Sequence, residues 1–339
     1  MSHRLIVTDH HDGRRLDRLL RTLWPAVPLG NIMRSLRTGT VRLDGRKADP
    51  SDRVATGQEI VVPWEAPGER PAAESRTFAP IDVIYRDENV WVVNKPVDLL
   101  VQPDVKDGDS VLRRVAAMRE ALRAPGAEDG NSFPPAAVHR LDRNTTGVLV
   151  VAVSGKAQRE LERVFRERFL EKTYLAVVSG TPAPDGSVVA PLLKDPETNT
   201  VRVDPSGLSA CTRYRTLGRS GGLALVEIEL VTGRTHQARV HMAHIGCPIL
   251  GDRKYGFHDV NNDWRRRGAR RPLLHAWKIF FGDLRAPVAN LSGRTFVAPV
   301  PDDMMRLTKR NAIFNQIIGN VGCQHGTIDI FQHLFRIGR

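Results

Sequence analysis

One stretch of the chain concentrates residue types that make and break covalent bonds: His139-Arg140-Leu141-Asp142-Arg143-Asn144-Thr145-Thr146-Gly147, followed at once by the apolar run VLVVAV. A carboxylate just ahead of a buried strand, with arginines before and after it, is kept ionised because nearby positive charge favours the anion. Such a group suits a nucleophile or an electrostatic stabiliser. It equally suits a structural salt bridge in an arginine-rich turn, and these residues alone leave both roles open.

Other reactive groups are sparse. His236, His241, His244 and Cys247 form an H-x4-H-x2-H-x2-C pattern that is not a zinc-binding spacing, so no metal is expected. Neither a P-loop nor a dinucleotide-binding glycine pattern is present, and no cofactor is expected. Hydrolysis of a glycosidic bond usually needs two opposed carboxylates about 5–10 Å apart, whereas only Asp142 stands in a motif. Tyr174 sits in an alternating run, where an aromatic ring packs as readily as it reacts. The segment Trp264-Arg265-Arg266-Arg267-Gly268-Ala269-Arg270-Arg271 holds five arginines beside an aromatic, suited to phosphate contacts or to a solvated loop.

These side chains need elements to position them. Leu16, Leu19, Leu20 and Leu23 follow the helical period and Pro25 stops the helix; Leu29, Ile32, Met33 and Leu36 repeat the pattern up to Gly39. A short strand in TVRLDG, turning at Asp44-Gly45, and a second in EIVVP complete a small unit. Its helices carry Arg14, Arg15, Arg18, Arg21, Arg34 and Arg37 opposite the leucines. Residues 66–80, rich in proline and without apolar period, read as a linker. From 81 to 308, strand-like runs such as VWVVN and GVLVVAV alternate with helical ones such as AQRELERVFRERF, an α+β pattern in one domain. Residues 309–339 are apolar but show neither caps nor period and carry no assigned role.

The composition names a partner class. Fifty Lys and Arg against 38 Asp and Glu in 339 residues give a net charge of +12, which attracts polyanions. Three scattered cysteines, no apolar leader and no run long enough to span a bilayer point to a cytoplasmic protein with no membrane partner.

HRLDRNTTG resembles the HRLDxxTSG motif of the RluA-type pseudouridine synthases, with Thr146 where that family more often has Ser. YRDENVWVVNKP, EKTYLA, GRTHQARVH and GCPILGD resemble further family segments in the same order, and the likeness spans about residues 10–308. It implies a catalytic domain built on a mixed, largely antiparallel sheet. It also implies isomerisation of uridine to pseudouridine, in which the base detaches, rotates and reattaches through carbon 5. By this resemblance Asp142 is the nucleophile and Arg140 displaces the target base. Tyr174 stacks on that base and handles protons, and Arg239 pairs with Asp142. Lys95 is structural or contacts RNA. Ala238 departs from the family's Ile or Leu and leaves a looser pocket. Residues 10–65 resemble the S4 RNA-binding domain, which together with the arginine segment makes Arg15, Arg18, Arg34, Arg37, Arg265 and Arg266 candidate RNA contacts. That combination is similar to the RluC- and RluD-like members, with a slight lean to the former. The implied partner is large-subunit (23S) ribosomal RNA or an assembly intermediate, bound by a monomer. A non-catalytic RNA-binding assembly factor is the competing class, and it would not need Asp142.

Overall fold

The computed structural model describes residues 2–8, 11–65, 78–103, 108–122 and 133–310. Most of the linker and of the C-terminal tail read from the sequence lies outside the described residues.

The small N-terminal unit comprises β1 (His3–Ile6), α1 (Leu16–Leu23), α2 (Leu29–Thr38), β2 (Arg42–Leu43), β3 (Arg46–Lys47) and β4 (Glu59–Val62), with sheet order β1-β4-β2-β3. Asp44 and Gly45 both take positive φ, 48° and 74°, the backbone that a tight two-residue hairpin turn requires. Helix α1 buries Leu16, Leu19, Leu20 and Leu23, as its period demands. Helix α2 does not repeat the pattern: Ile32 and Leu36 are buried, but Leu29 and Met33 stay 49% and 40% exposed. Neither belongs to the unit's apolar core. The unit also begins earlier than residue 10, because β1 pairs with β4 and Val7 is buried in the same core.

The larger region follows as β5 (Asp82–Arg86), β6 (Val90–Lys95), α3 (Val111–Ala121), β7 (Ala136–Ala137), β8 (Thr146–Ala152) and α4 (Gly155–Glu167). Next come β9 (Leu170–Ser179), β10 (Asp185–Val189), β11 (Leu192–Asp195), β12 (Thr200–Val203), β13 (Cys211–Ser220) and β14 (Leu223–Leu230). Helices α5 (Gln237–His244) and α6 (His258–Arg266), strands β15 (Leu274–Phe281) and β16 (Thr295–Val297), and helix α7 (Asp302–Arg310) complete it. Ser110 and Ser154 cap α3 and α4, each hydroxyl accepting a backbone N–H from the first turn.

The main sheet runs β10-β13-β14-β9-β15-β8-β6-β5, with β16 on β15 and β7 on β8. Among the described residues its pairings are antiparallel except where β15 meets β8, so the class is α+β with a mixed, largely antiparallel sheet. Both faces are covered. Along β8, Val148, Val150 and Ala152 enter one apolar cluster, while Leu149, Val151 and Val153 at the strand's end enter another, the period-two alternation of a strand buried on both sides.

The parallel contact between β15 and β8 is short, pairing His275 with Thr146 and Ala276 with Gly147. It is a seam joining two antiparallel halves, and Gly147 makes it possible. A Cβ added there would meet the Ala276 carbonyl oxygen at 2.0 Å, and the residue's φ of 114° disfavours any side chain. Across the seam Thr146 Oγ1 lies 2.9 Å from the buried His275 Nδ1. The loop carrying Asp142 enters the sheet here.

Candidate active site

Asp142 lies outside regular structure, four residues before β8, and its backbone is held from several sides. Thr145 N–H donates to the Asp142 carbonyl (3.0 Å). Lys95 Nζ, at the end of β6, donates to the carbonyls of Arg143 (2.8 Å), Leu99 (2.7 Å) and Pro96 (2.9 Å). Arg271 Nη1 donates to the Asn144 carbonyl (3.2 Å) while Nε and Nη2 grip Asp303 at 2.7 and 2.9 Å. On the upstream side His139 Nε2 accepts the Val150 N–H (3.0 Å) and its ring stacks on Phe165. A loop with its carbonyls committed this way presents its carboxylate in one place.

The partner of Asp142 comes from α5. Arg239 Nη1 donates to Asp142 Oδ2 at 3.1 Å, while Nε and Nη2 bind both oxygens of Asp252 at 2.6 and 2.8 Å. Asp252 is fully buried, and its Oδ1 also accepts the Lys254 and Tyr255 backbone N–H groups. The planar guanidinium is thereby fixed along one edge and offers its remaining nitrogen to Asp142. Asp252 is a second carboxylate near the first, but both of its oxygens are occupied, so it is not available as the opposed acid of a hydrolase.

The turn into α5 is set by Gln237, which is buried. Its Oε1 accepts the Arg234 N–H (3.0 Å) and the Thr232 hydroxyl (2.7 Å), and its Nε2 donates to the Cys211 carbonyl and to Thr212 Oγ1, both at 2.9 Å. His241 lies behind it between Thr212 Oγ1 (2.9 Å) and the Ala190 carbonyl (3.0 Å). These partners make His241 structural, and no group of metal-ligating side chains occurs among the described residues.

Tyr174 stands on β9 opposite Ala276 of β15, beside the seam, and is 7% exposed. Burial, reinforced by the negative charge of Asp142, pushes its phenol above the usual tyrosine range, so the hydroxyl keeps its proton at neutral pH. Leu141 and Ala238 share its apolar cluster. The site therefore joins an ionisable carboxylate clamped on one oxygen, a buried protonated phenol and an apolar floor. Nucleophilic attack and proton transfer on a planar ring are both within its means.

The chain matches the model of the RNA pseudouridylate synthase family over residues 89–244, which include Asp142, Tyr174 and Arg239. It is 36% identical over 314 residues to the ribosomal large subunit pseudouridine synthase D of Xylella fastidiosa, covering 90% of this chain and 91% of that one. The chain belongs to the RluA-type pseudouridine synthases. The ribosomal large subunit pseudouridine synthase C of Vibrio vulnificus is 35% identical over 277 residues, 79% of this chain and 85% of that one. Among solved structures, human RNA pseudouridylate synthase domain containing 4 superposes with a TM-score of 0.54 at 26% identity, covering 68% of this chain and 92% of that one.

Not every residue singled out in this pseudouridine synthase lies where the sequence suggested. Lys95 is fully buried and its three protons meet three carbonyls, so it cannot reach a phosphate; burial brings its ammonium down to about 7, with the charge of Asp142 opposing. The arginine segment is no plain loop either. Arg265 and Arg266 end α6 and are exposed, Arg267 pairs with Asp263 at 2.8 Å, and Arg271 is buried against Asp303. Arg140 is exposed beside Asp142. In the small unit Arg18, Arg34 and Arg37 are exposed, whereas Arg15 is engaged with Asp17 at 3.1 Å.

Three residues close to Asp142 had no catalytic role read from sequence. Asp252 stands in the GCPILGD segment, for which the resemblance gives no partner; His236 stands in a pattern that suggests a metal ligand at most; and no local motif marks Tyr255. The Asp in GCPILGD is the signal that was there to read, because a buried carboxylate needs a cation and Arg239 was already named.

Proposed function

We propose that this synthase isomerises uridine in large-subunit (23S) ribosomal RNA, with Asp142 as nucleophile. The observation that supports it most is the Asp142–Arg239–Asp252 arrangement, which ties one oxygen of Asp142 and leaves Oδ1 without a partner among the described residues. The reaction breaks the N1–C1′ bond and forms C5–C1′; carbon 5 loses a proton and N1 gains one, so no cofactor or oxidant is consumed. Reaching a paired uridine costs a few kcal/mol of unstacking, for which exposed Arg140 and the ring of Tyr174 are placed. The names of the Xylella and Vibrio relatives support the ribosomal large subunit as substrate.

The N-terminal unit serves as an S4-like RNA-binding domain spanning about residues 10–65 plus β1, joined through the 66–80 linker to the catalytic domain at 81–308. Arg18, Arg34, Arg37, Arg265 and Arg266 contribute phosphate contacts, and the protein works as a cytoplasmic monomer. None of the described helices is long and apolar enough to cross a membrane. The test is to incubate unmodified 23S RNA with the protein and with Asp142→Asn, then map pseudouridine by carbodiimide labelling and primer extension. New stops with the unsubstituted protein alone are expected, and their positions name the target uridine. Equal stops with both proteins would remove Asp142 from the chemistry, and RNA binding without stops from either would favour an assembly factor.

A further inference from the structure

His236 precedes α5 in the left-handed conformation, φ 54° and ψ 16°, and its ring is enclosed between Tyr255 and Asp142. Its Nδ1 lies 2.7 Å from the Tyr255 hydroxyl, and its Nε2 lies 3.7 Å from Asp142 Oδ2. The same hydroxyl oxygen accepts the Val201 N–H of β12 at 2.9 Å. A backbone N–H can only donate, so it takes a lone pair of the phenol oxygen. That leaves the phenol's own proton free to be donated to His236 Nδ1, its neighbour at 2.7 Å. In that arrangement the neutral ring carries its proton on Nε2, the nitrogen facing the Asp142 carboxylate, which favours an N–H over a lone pair there. Burial lowers the basicity of His236, against the opposing pull of Asp142, which keeps the ring neutral.

We propose that His236 is a positioning residue for the isomerisation, held as its Nε2–H tautomer by Tyr255 so that it shares Asp142 Oδ2 with Arg239 and leaves Oδ1 to react. The proposal rests on the reading of Asp142 as nucleophile. The 3.7 Å separation is longer than a hydrogen bond, and the proposal requires it to tighten in the substrate complex, as catalytic contacts commonly do. The Arg239 guanidinium stands 5.0 Å above the Tyr255 ring, so one tyrosine braces both groups that hold Oδ2. Strand β12 supplies the Val201 N–H, which connects the seating of the β11–β12 hairpin to the tautomer of His236.

Selective 15N-histidine labelling of the full chain reads the tautomer without RNA. A neutral ring with the proton on Nε2 is expected, and Tyr255→Phe, which keeps the ring over Arg239, should give a mixture of tautomers. A wild-type ring protonated on Nδ1 would overturn the proposal. Kinetics on the 23S transcript supply the second arm. His236→Gln, whose amide nitrogen takes the place of Nε2, should retain kcat within about 5-fold, while His236→Asn should lose about 30-fold, both with KM within about 3-fold. Backbone strain alone predicts the reverse order, because Asn tolerates the left-handed conformation better than Gln. Asn equal to or better than Gln, or a Tyr255→Phe effect undiminished in the His236→Gln background, would also overturn it. Asp142→Asn in the same assay separates the two readings: if it stays active, the nucleophile assignment fails whatever tautomer His236 shows.

Discussion

The charge of Asp142 reaches the buried phenol of Tyr174, and burial decides what that phenol can do. The phenol of Tyr174 is held in its protonated form by burial and by the charge of Asp142, so a proton-handling role proposed for it is that of a neutral hydroxyl and not of a phenolate base. Tyr174→Phe keeps the ring and removes only the hydroxyl. It should leave RNA affinity within about 3-fold in filter binding and lower kcat by about 10²-fold, the usual weight of one positioned proton-transfer group. Unchanged kcat would reduce Tyr174 to a stacking surface. At this scale the family resemblance marks Asp142, Arg239 and Tyr174 as candidates by their places in its motifs, where the residues alone left their roles open. The motifs did not reveal His236 and Tyr255, whose meaning lies in which nitrogen meets which oxygen across 19 residues of chain.

The elements earn their precision at the seam. Gly147→Ala puts a methyl group against the Ala276 carbonyl in a backbone conformation hostile to any side chain. It should cost about 4 kcal/mol or more in urea-unfolding stability, or prevent folding, with Gly45→Ala as a control at a positive-φ turn with open space. Lys95→Met leaves three carbonyls without their donor and should cost about 2–4 kcal/mol. Stability unchanged in that variant would mean that water replaces the ammonium at no cost. Helix and strand positions were legible wherever period and burial agree, as in α1, α4, β6 and β8. Helix α2 shows the limit: four apolar residues at helical spacing predict one buried face, yet packing partners reach only Ile32 and Leu36.

Across the whole molecule, two histidines held as neutral rings, His275 fully buried and His139 partly so, predict a fold sensitive to acid. Burial depresses His139 to about 3, helped by Lys172, and His275 to about 4 against the pull of its hydrogen bonds. The unfolded chain binds these protons near pH 6.5, so below that it holds more protons than the native state and stability falls as pH drops toward 4. Unfolding free energies in urea should decline over that window by about 1.4 kcal/mol per pH unit for each histidine, and His275→Gln should flatten the slope. An unchanged slope would place the acid sensitivity elsewhere. The two regions also touch: Arg159 of α4 reaches the Asp12 carbonyl and, at 3.0 Å, its carboxylate. By itself the sequence determined the α+β class, the RNA-seeking charge, the family and the residue that carries the carboxylate, because these depend on composition, period and local order. Only the tertiary structure decided which oxygen of Asp142 is held and that Lys95 and Arg271 brace its loop from inside. Those outcomes depend on distances between segments far apart in the chain, and no local pattern encodes them.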